Sequence, residues 1–116
     1  MPDPVIDRAT LDTLASTTDK EFVGELIDTF LEDAPSLLDS LMTTLAAQDA
    51  EGFRRAAHSL KSNGASLGAM SFSASAKELE MIGKAGDLSG AEAMVESLRA
   101  EFEQVTQALK DYKHEA

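Results

Sequence analysis

Apolar residues recur at three- and four-residue steps along this chain, the period of a helix, in every stretch long enough to show one. Leu11 and Leu14 anchor a short amphipathic helix over about 7–16. Thr18-Asp19-Lys20-Glu21 has the form of a capping box, in which hydroxyl and carboxylate satisfy free amides of a first turn. From there Phe22, Leu26, Phe30, Leu37, Leu41 and Leu45 mark a long helix to about Gln48, widened by Val23, Ile27, Leu38 and Met42. Pro35 lies inside it and predicts a kinked continuous helix, or two abutting ones, near Asp33-Ala34. Asp49 can cap the next helix, which runs to about Leu67 with Phe53, Ala56, Leu60, Gly64 and Leu67 on its core side. Gly68 suits the left-handed residue that closes it. Ser71 opens a helix to about Lys84 anchored by Phe72, Ala76, Leu79 and Ile82. Ser89-Gly90-Ala91-Glu92 is a second capping-box pattern, opening a last helix to about Tyr112 along Met94, Leu98, Phe102 or Val105, and Leu109.

No segment alternates with period two, so the expected fold class is all-α. The economical form is an up-down-up-down four-helix bundle with a short N-terminal capping helix. At 116 residues the chain is expected to be a single domain over 1–116. Residues 1–6, with Pro2 and Pro4, read as a flexible lead-in, and Met1 with the short charged C-terminus suits a free-standing protein.

Composition narrows the chemistry. A net charge of −11 argues against nucleic acid and against anionic membranes, since phosphate binding needs clustered Lys and Arg. No apolar run approaches the roughly 20 residues of a membrane span. The absence of cysteine removes disulfides, thiol chemistry and Cys-based metal sites, which fits a cytoplasmic location. Acidic residues are dense from Glu25 to Asp39 and from Glu92 to Glu103. Against that background Arg54, Arg55 and Lys61 stand out as a basic island, with Lys77 and Lys84 later in sequence. Met42, Met70, Met81 and Met94 read as core filling, the acidic pairs Glu32/Asp33 and Glu101/Glu103 as solvated surface, and His114 as part of a solvated tail.

At ~100° per residue, His58 lies almost opposite the core stripe of its helix, among Arg54, Lys61, Ser62 and Ala65. Neutral imidazole is a good nucleophile near pH 7. A lysine one turn away can hold phosphoryl oxygens and offset the charge that builds up in transfer. The small side chains of Ser62, Ala65 and Ala69 leave room for a second protein to approach. The sequence has no Gly-rich phosphate loop, nucleotide motif or metal-ligand cluster, so a partner must supply the phosphoryl donor.

The pattern extends beyond one pair. Ala56-Ala57-His58-Ser59-Leu60-Lys61, then Leu67-Gly68-Ala69, Leu79-Glu80 and Gly83, preceded by Glu21-Phe22 through Phe30-Leu31-Glu32-Asp33-Ala34-Pro35, resembles the histidine-containing phosphotransfer (HPt) domain family over nearly the whole chain. The resemblance implies a phosphorelay intermediate: a histidine that accepts a phosphoryl group from the aspartyl phosphate of one response-regulator receiver domain and passes it to another. It implies His58 as phosphoacceptor, Lys61 as the phosphate-steadying lysine, Glu80 as partner of the other ring nitrogen, and Lys84 as a basic position beside the site. No cofactor is implied on this chain, Mg²⁺ being expected on the receiver.

Receiver domains or a hybrid histidine kinase are the implied partners of a monomeric carrier without kinase or phosphatase activity of its own. Arg54, Arg55, Ser62, Ala65 and Ala69 would form the docking surface, with Ile27 and Leu31 as its apolar part. The family usually has glycine after the lysine, where this chain has Ser62; Gly64 follows two residues later. Two other readings stay open: a helical module that binds receivers or kinases without carrying phosphate, and the phosphoaccepting module of a kinase acting in trans.

Overall fold

A computed structural model describes residues 5–115 as five helices: α1 (Arg8–Thr17), α2 (Lys20–Ala46), α3 (Ala50–Ser66), α4 (Met70–Ala85) and α5 (Ala91–Glu115). The first three each begin at an aspartate. Asp7 accepts from the Ala9 amide at 3.1 Å, Asp19 from Phe22 at 2.6 Å and Asp49 from Gly52 at 3.0 Å. Each carboxylate satisfies an amide that the helix itself cannot pair, and it sits at the positive end of the helix dipole. Asp19, and not Thr18, therefore caps α2; the Thr18 hydroxyl donates back to the Leu14 carbonyl at 2.6 Å and closes α1 instead. The α2 helix continues through Pro35, whose ring is exposed, and ends at Ala46, short of Gln48, which turns the chain with φ +56°.

The long helices pack in a closed circuit, α2 on α3, α3 on α4, α4 on α5 and α5 on α2, and α1 packs on α2. Ion pairs fix α2 and α5 as antiparallel: Lys113 donates to Asp28 and Arg99 to Asp39, 2.7 and 2.8 Å long. Phe30, Phe72 and Phe102, from α2, α4 and α5, meet with ring centroids 5.7–6.1 Å apart. Around them Leu41, Phe53, Leu60, Leu79, Leu98 and Leu109 are fully buried. Emptying any one of these leucine sites would cost about 2–5 kcal/mol.

Several expected placements differ. Residues 1–4 of the expected lead-in lie outside the described residues, but Ile6 is buried, and the next amide, of Asp7, donates to the Gly68 carbonyl at 2.7 Å. That bond straps the start of α1 across the α3–α4 turn, where Gly68 (φ +80°) has no side chain to obstruct it. Ile27 is buried, whereas Phe22, expected in the core stripe, is 41% exposed. Met70 and Met81, expected as core filling, are 49% and 55% exposed. Among the described residues no helix is long and apolar enough to cross a membrane.

The closest backbone approach that matters for the site is α3 against α4 at Gly83. A Cβ there would lie 2.9 Å from the Arg54 backbone, which cannot rotate away. Gly83→Ala gains roughly 1 kcal/mol of helix propensity, but overpacking against backbone costs about 1–3 kcal/mol and opens the α3–α4 contact. We expect a lower midpoint in urea; an unchanged or higher midpoint would contradict this packing.

Candidate functional site

His58 is an exposed residue on α3, held from α4 by Glu80, the two helices being antiparallel. The imidazole Nδ1–H donates to Glu80 Oε2 at 2.7 Å, and Lys61 Nζ donates to Glu80 Oε1 at 2.6 Å. One carboxylate thus spends its two oxygens on two side chains of α3, one helical turn apart. A carboxylate accepts only, so Nδ1 must carry the proton. In the neutral ring the lone pair is then left on Nε2, on a side chain that is 54% exposed.

Glu80 is only 14% exposed at its side chain. The Lys61 ammonium, ahead of the His58 hydrogen bond, holds its carboxyl below the usual carboxylate range despite that burial. The local backbone is tied as well. Ser73 of α4, buried, donates its hydroxyl to the Lys61 carbonyl at 2.8 Å. Gly64 lets Phe72 press on α3, since a Cβ there would come within 2.8 Å of the Phe72 ring. Its clearance serves the core, not an approaching partner.

The structure therefore brings three of the sequence-selected residues, His58, Lys61 and Glu80, into direct contact. It revises the rest. Ala69 is fully buried at the entry to α4, next to the Gly68 carbonyl to which the Asp7 amide is strapped, and cannot line a docking surface. Ile27 is likewise enclosed, and Leu31 is half-buried. Ser62 is exposed and Ala65 half-buried on the outward side of α3. Lys84 is exposed on α4, one turn beyond Glu80, without a hydrogen bond or ion pair among the described residues.

The basic island is largely cancelled. Arg54 donates to Glu51 through Nε at 3.1 Å and Arg55 through Nε at 3.3 Å. Arg54's hydrogen bond, above all, holds the Glu51 carboxyl down to about 2. Glu51 escaped notice in the sequence although its i,i+3 and i,i+4 spacing to two arginines was there to read. Ser73 had no such local signal, because its partner lies twelve residues away on another helix.

The site is an open surface. A cavity of about 430 Å³ at the N-terminal end of α2, lined by Lys20, Val23, Asp28 and Tyr112, does not include it. Nor does the 170 Å³ groove between Leu26, Asp33, Asn63 and Ser66. The arrangement is an outward imidazole on a helix, with one ring nitrogen fixed and a cation beside it, open to solvent and to an approaching surface.

Comparison with known proteins agrees. The sequence profile described as the Hpt domain matches residues 25–108. The chain belongs to the Hpt domain family. It is 28% identical over 98 residues to the phosphorelay intermediate protein rdeA of Dictyostelium discoideum, a match that covers 84% of this chain and 39% of that relative. The chain thus spans about two fifths of that relative's length. Its fold superposes on the crystal structure of histidine-containing phosphotransfer protein B (HptB) from Pseudomonas aeruginosa PAO1 with a TM-score of 0.91 and 31% identity, covering 99% of both chains.

Glu80's lowered pKa fixes the sign of a pH effect. A carboxyl depressed in the folded state stabilises fully above its unfolded value and loses that contribution as pH falls through the folded value. Glu80→Gln keeps an acceptor for Nδ1–H but drops the ion pair to Lys61. We expect it to be less stable than the parent by about 1 kcal/mol at neutral pH. The difference should shrink as the pH falls through and below the ordinary carboxylate range in parallel denaturation curves. A gap independent of pH would show that the ion pair is not its source.

Proposed function

We propose that the protein is a phosphorelay intermediate in which His58 carries the phosphoryl group between receiver domains. The observation that carries this reading is the Glu80 carboxylate on His58 Nδ1–H, which leaves the nucleophilic lone pair on an exposed Nε2. Family membership supports the same reading.

In the proposed step the Nε2 lone pair attacks the phosphorus of a receiver's aspartyl phosphate. The new N–P bond forms as the P–O bond to the aspartate breaks, and that carboxylate leaves with the bonding pair. No proton need move. The ring becomes a cation with Nδ1–H still on Glu80, whose charge stabilises it. Lys61 is 28% exposed and can exchange Glu80 Oε1 for a phosphoryl oxygen as negative charge arrives. Mg²⁺ held by the receiver would screen the phosphoryl oxygens from the partner's side. Reversal of the same path returns the group to a second receiver.

The scaffold for this chemistry is, in our reading, a single domain: an up-down-up-down bundle of α2–α5 with α1 as its cap. The protein would act as a cytoplasmic, monomeric carrier without kinase or phosphatase activity, and without nucleic-acid partners. Arg54 and Arg55, already engaged by Glu51, would then shape the rim of the docking surface more than charge it. Ser62 would be the side chain that a docked receiver meets one turn from His58.

Incubation with phosphorylated receivers and Mg²⁺ tests the proposal. We expect label that is acid-labile and base-stable, absent in His58→Gln, and transferred about tenfold or more slowly in Lys61→Ala. No label from any receiver of the source organism would sink the relay and leave a binding module. Labelling by a kinase catalytic domain alone would assign the protein to the kinase instead.

A further inference from the structure

The exposed face of α4 is unlike the rest of this acidic surface. At ~100° per residue, Met70, Ala74, Lys77, Met81 and Lys84 fall within about 80° of one another, along a strip of about 21 Å. All five are exposed, and Met70 and Met81 are the two most exposed large apolar side chains among the described residues. Lys77 and Lys84 have no ion pair or hydrogen bond among the described residues, whereas Arg54, Arg55 and Lys61 are all paired with carboxylates. The unspent positive charge beside His58 therefore lies on α4, not on α3.

We propose that this α4 face is a docking surface for the receiver domain and takes the anionic rim of its phosphoaspartyl pocket; the inference rests on the relay reading above. A pocket built around a phosphorylated aspartate is negative by its own chemistry. It is attracted by Lys77 and Lys84 and repelled by Glu25, Glu32 and Asp33, which are exposed on α2 without ion pairs among the described residues. Lys77 and Lys84 lie one turn to either side of Glu80 and about 60° and 40° round from it, so a partner resting on them adjoins the residue that holds His58 and Lys61. Methionine adapts its flexible thioether to different surfaces, which suits a carrier that must receive from one partner and deliver to another. Glu78, on the same helix, lies about 100° round from Lys77 toward α5, outside the strip.

The test uses the full chain and the receiver domain that labels wild-type His58. Lys77→Glu and Met81→Asp are compared with Lys110→Glu, which matches the charge change of the first on the exposed surface of α5. Rapid-quench transfer at varied receiver concentration separates docking from chemistry. Each α4 variant is expected to raise the half-saturating receiver concentration about tenfold, with saturated transfer within about twofold of wild type and an unchanged Tm. The wild-type half-saturation should also rise with salt more steeply than that of Lys77→Glu. Half-saturation in both α4 variants equal to that of Lys110→Glu would overturn the docking assignment while leaving the relay intact. No labelling of wild type by any receiver would overturn the relay and the assignment with it.

Discussion

One carboxylate joins the two helices that carry the candidate site. Glu80 reaches from α4 to two side chains of α3, and it can do so only because the helices meet closely below it. The contact at Gly83 brings the α4 backbone to that of Arg54, and Ser73 binds the Lys61 carbonyl on the other side of the site. Between these two clamps the Glu80 side chain has little freedom, so the imidazole it holds is oriented before any partner arrives. Pre-ordering of this kind lowers the cost of reaching the reactive arrangement.

That arrangement also explains why the ion pair to Lys61 is not redundant. A half-buried carboxylate facing a neutral imidazole alone would be poorly compensated. The Lys61 ammonium keeps Glu80 ionised, and ionised Glu80 accepts only, which sets the His58 tautomer. The lysine is therefore engaged twice in the relay reading: it holds the charge state of the site at rest and is available to phosphoryl oxygens in transfer.

Much of this was legible in the sequence, for identifiable reasons. Helix positions follow from a 3.6-residue period, and Asp49 and Gly68 mark ends because their roles use only local backbone groups. His58 pointed outward because the apolar stripe of Phe53, Ala56, Leu60 and Leu67 lies on the other side of α3. Glu80 entered through a family resemblance, since no local rule says which residue of α4 faces which residue of α3. What escaped was tertiary. Phe22, Met70 and Met81 sit at helical spacing with true core residues, yet α2 and α4 are wide enough in apolar residues that periodicity alone does not choose the stripe's edge. Ala69 looked like a small surface residue because nothing in its neighbours announces that α1 will be strapped over the turn by the Asp7–Gly68 bond. Thr18 has the form of a capping-box residue, but its hydroxyl goes to the Leu14 carbonyl of α1, and Asp19 accepts the α2 amide in its place.

The distribution of charge carries the argument furthest. Counting lysines and arginines around His58 along the sequence suggests a positive patch, but the fold spends those charges: Glu51 takes Arg54 and Arg55, and Glu80 takes Lys61. A site intended for a free anion would keep such cations open. Here the carboxylates hold them until something more negative, and able to displace water, comes close. A phosphorylated protein surface meets both conditions, whereas dilute phosphate meets only the first. The same reasoning separates the two sides of the site. On α2 the exposed Glu25, Glu32 and Asp33 have no cations to answer them among the described residues, while on α4 the exposed Lys77 and Lys84 have no carboxylates. On the relay reading, an anionic partner descending on His58 would be steered by an asymmetry that neither the net charge of −11 nor the local motif reveals.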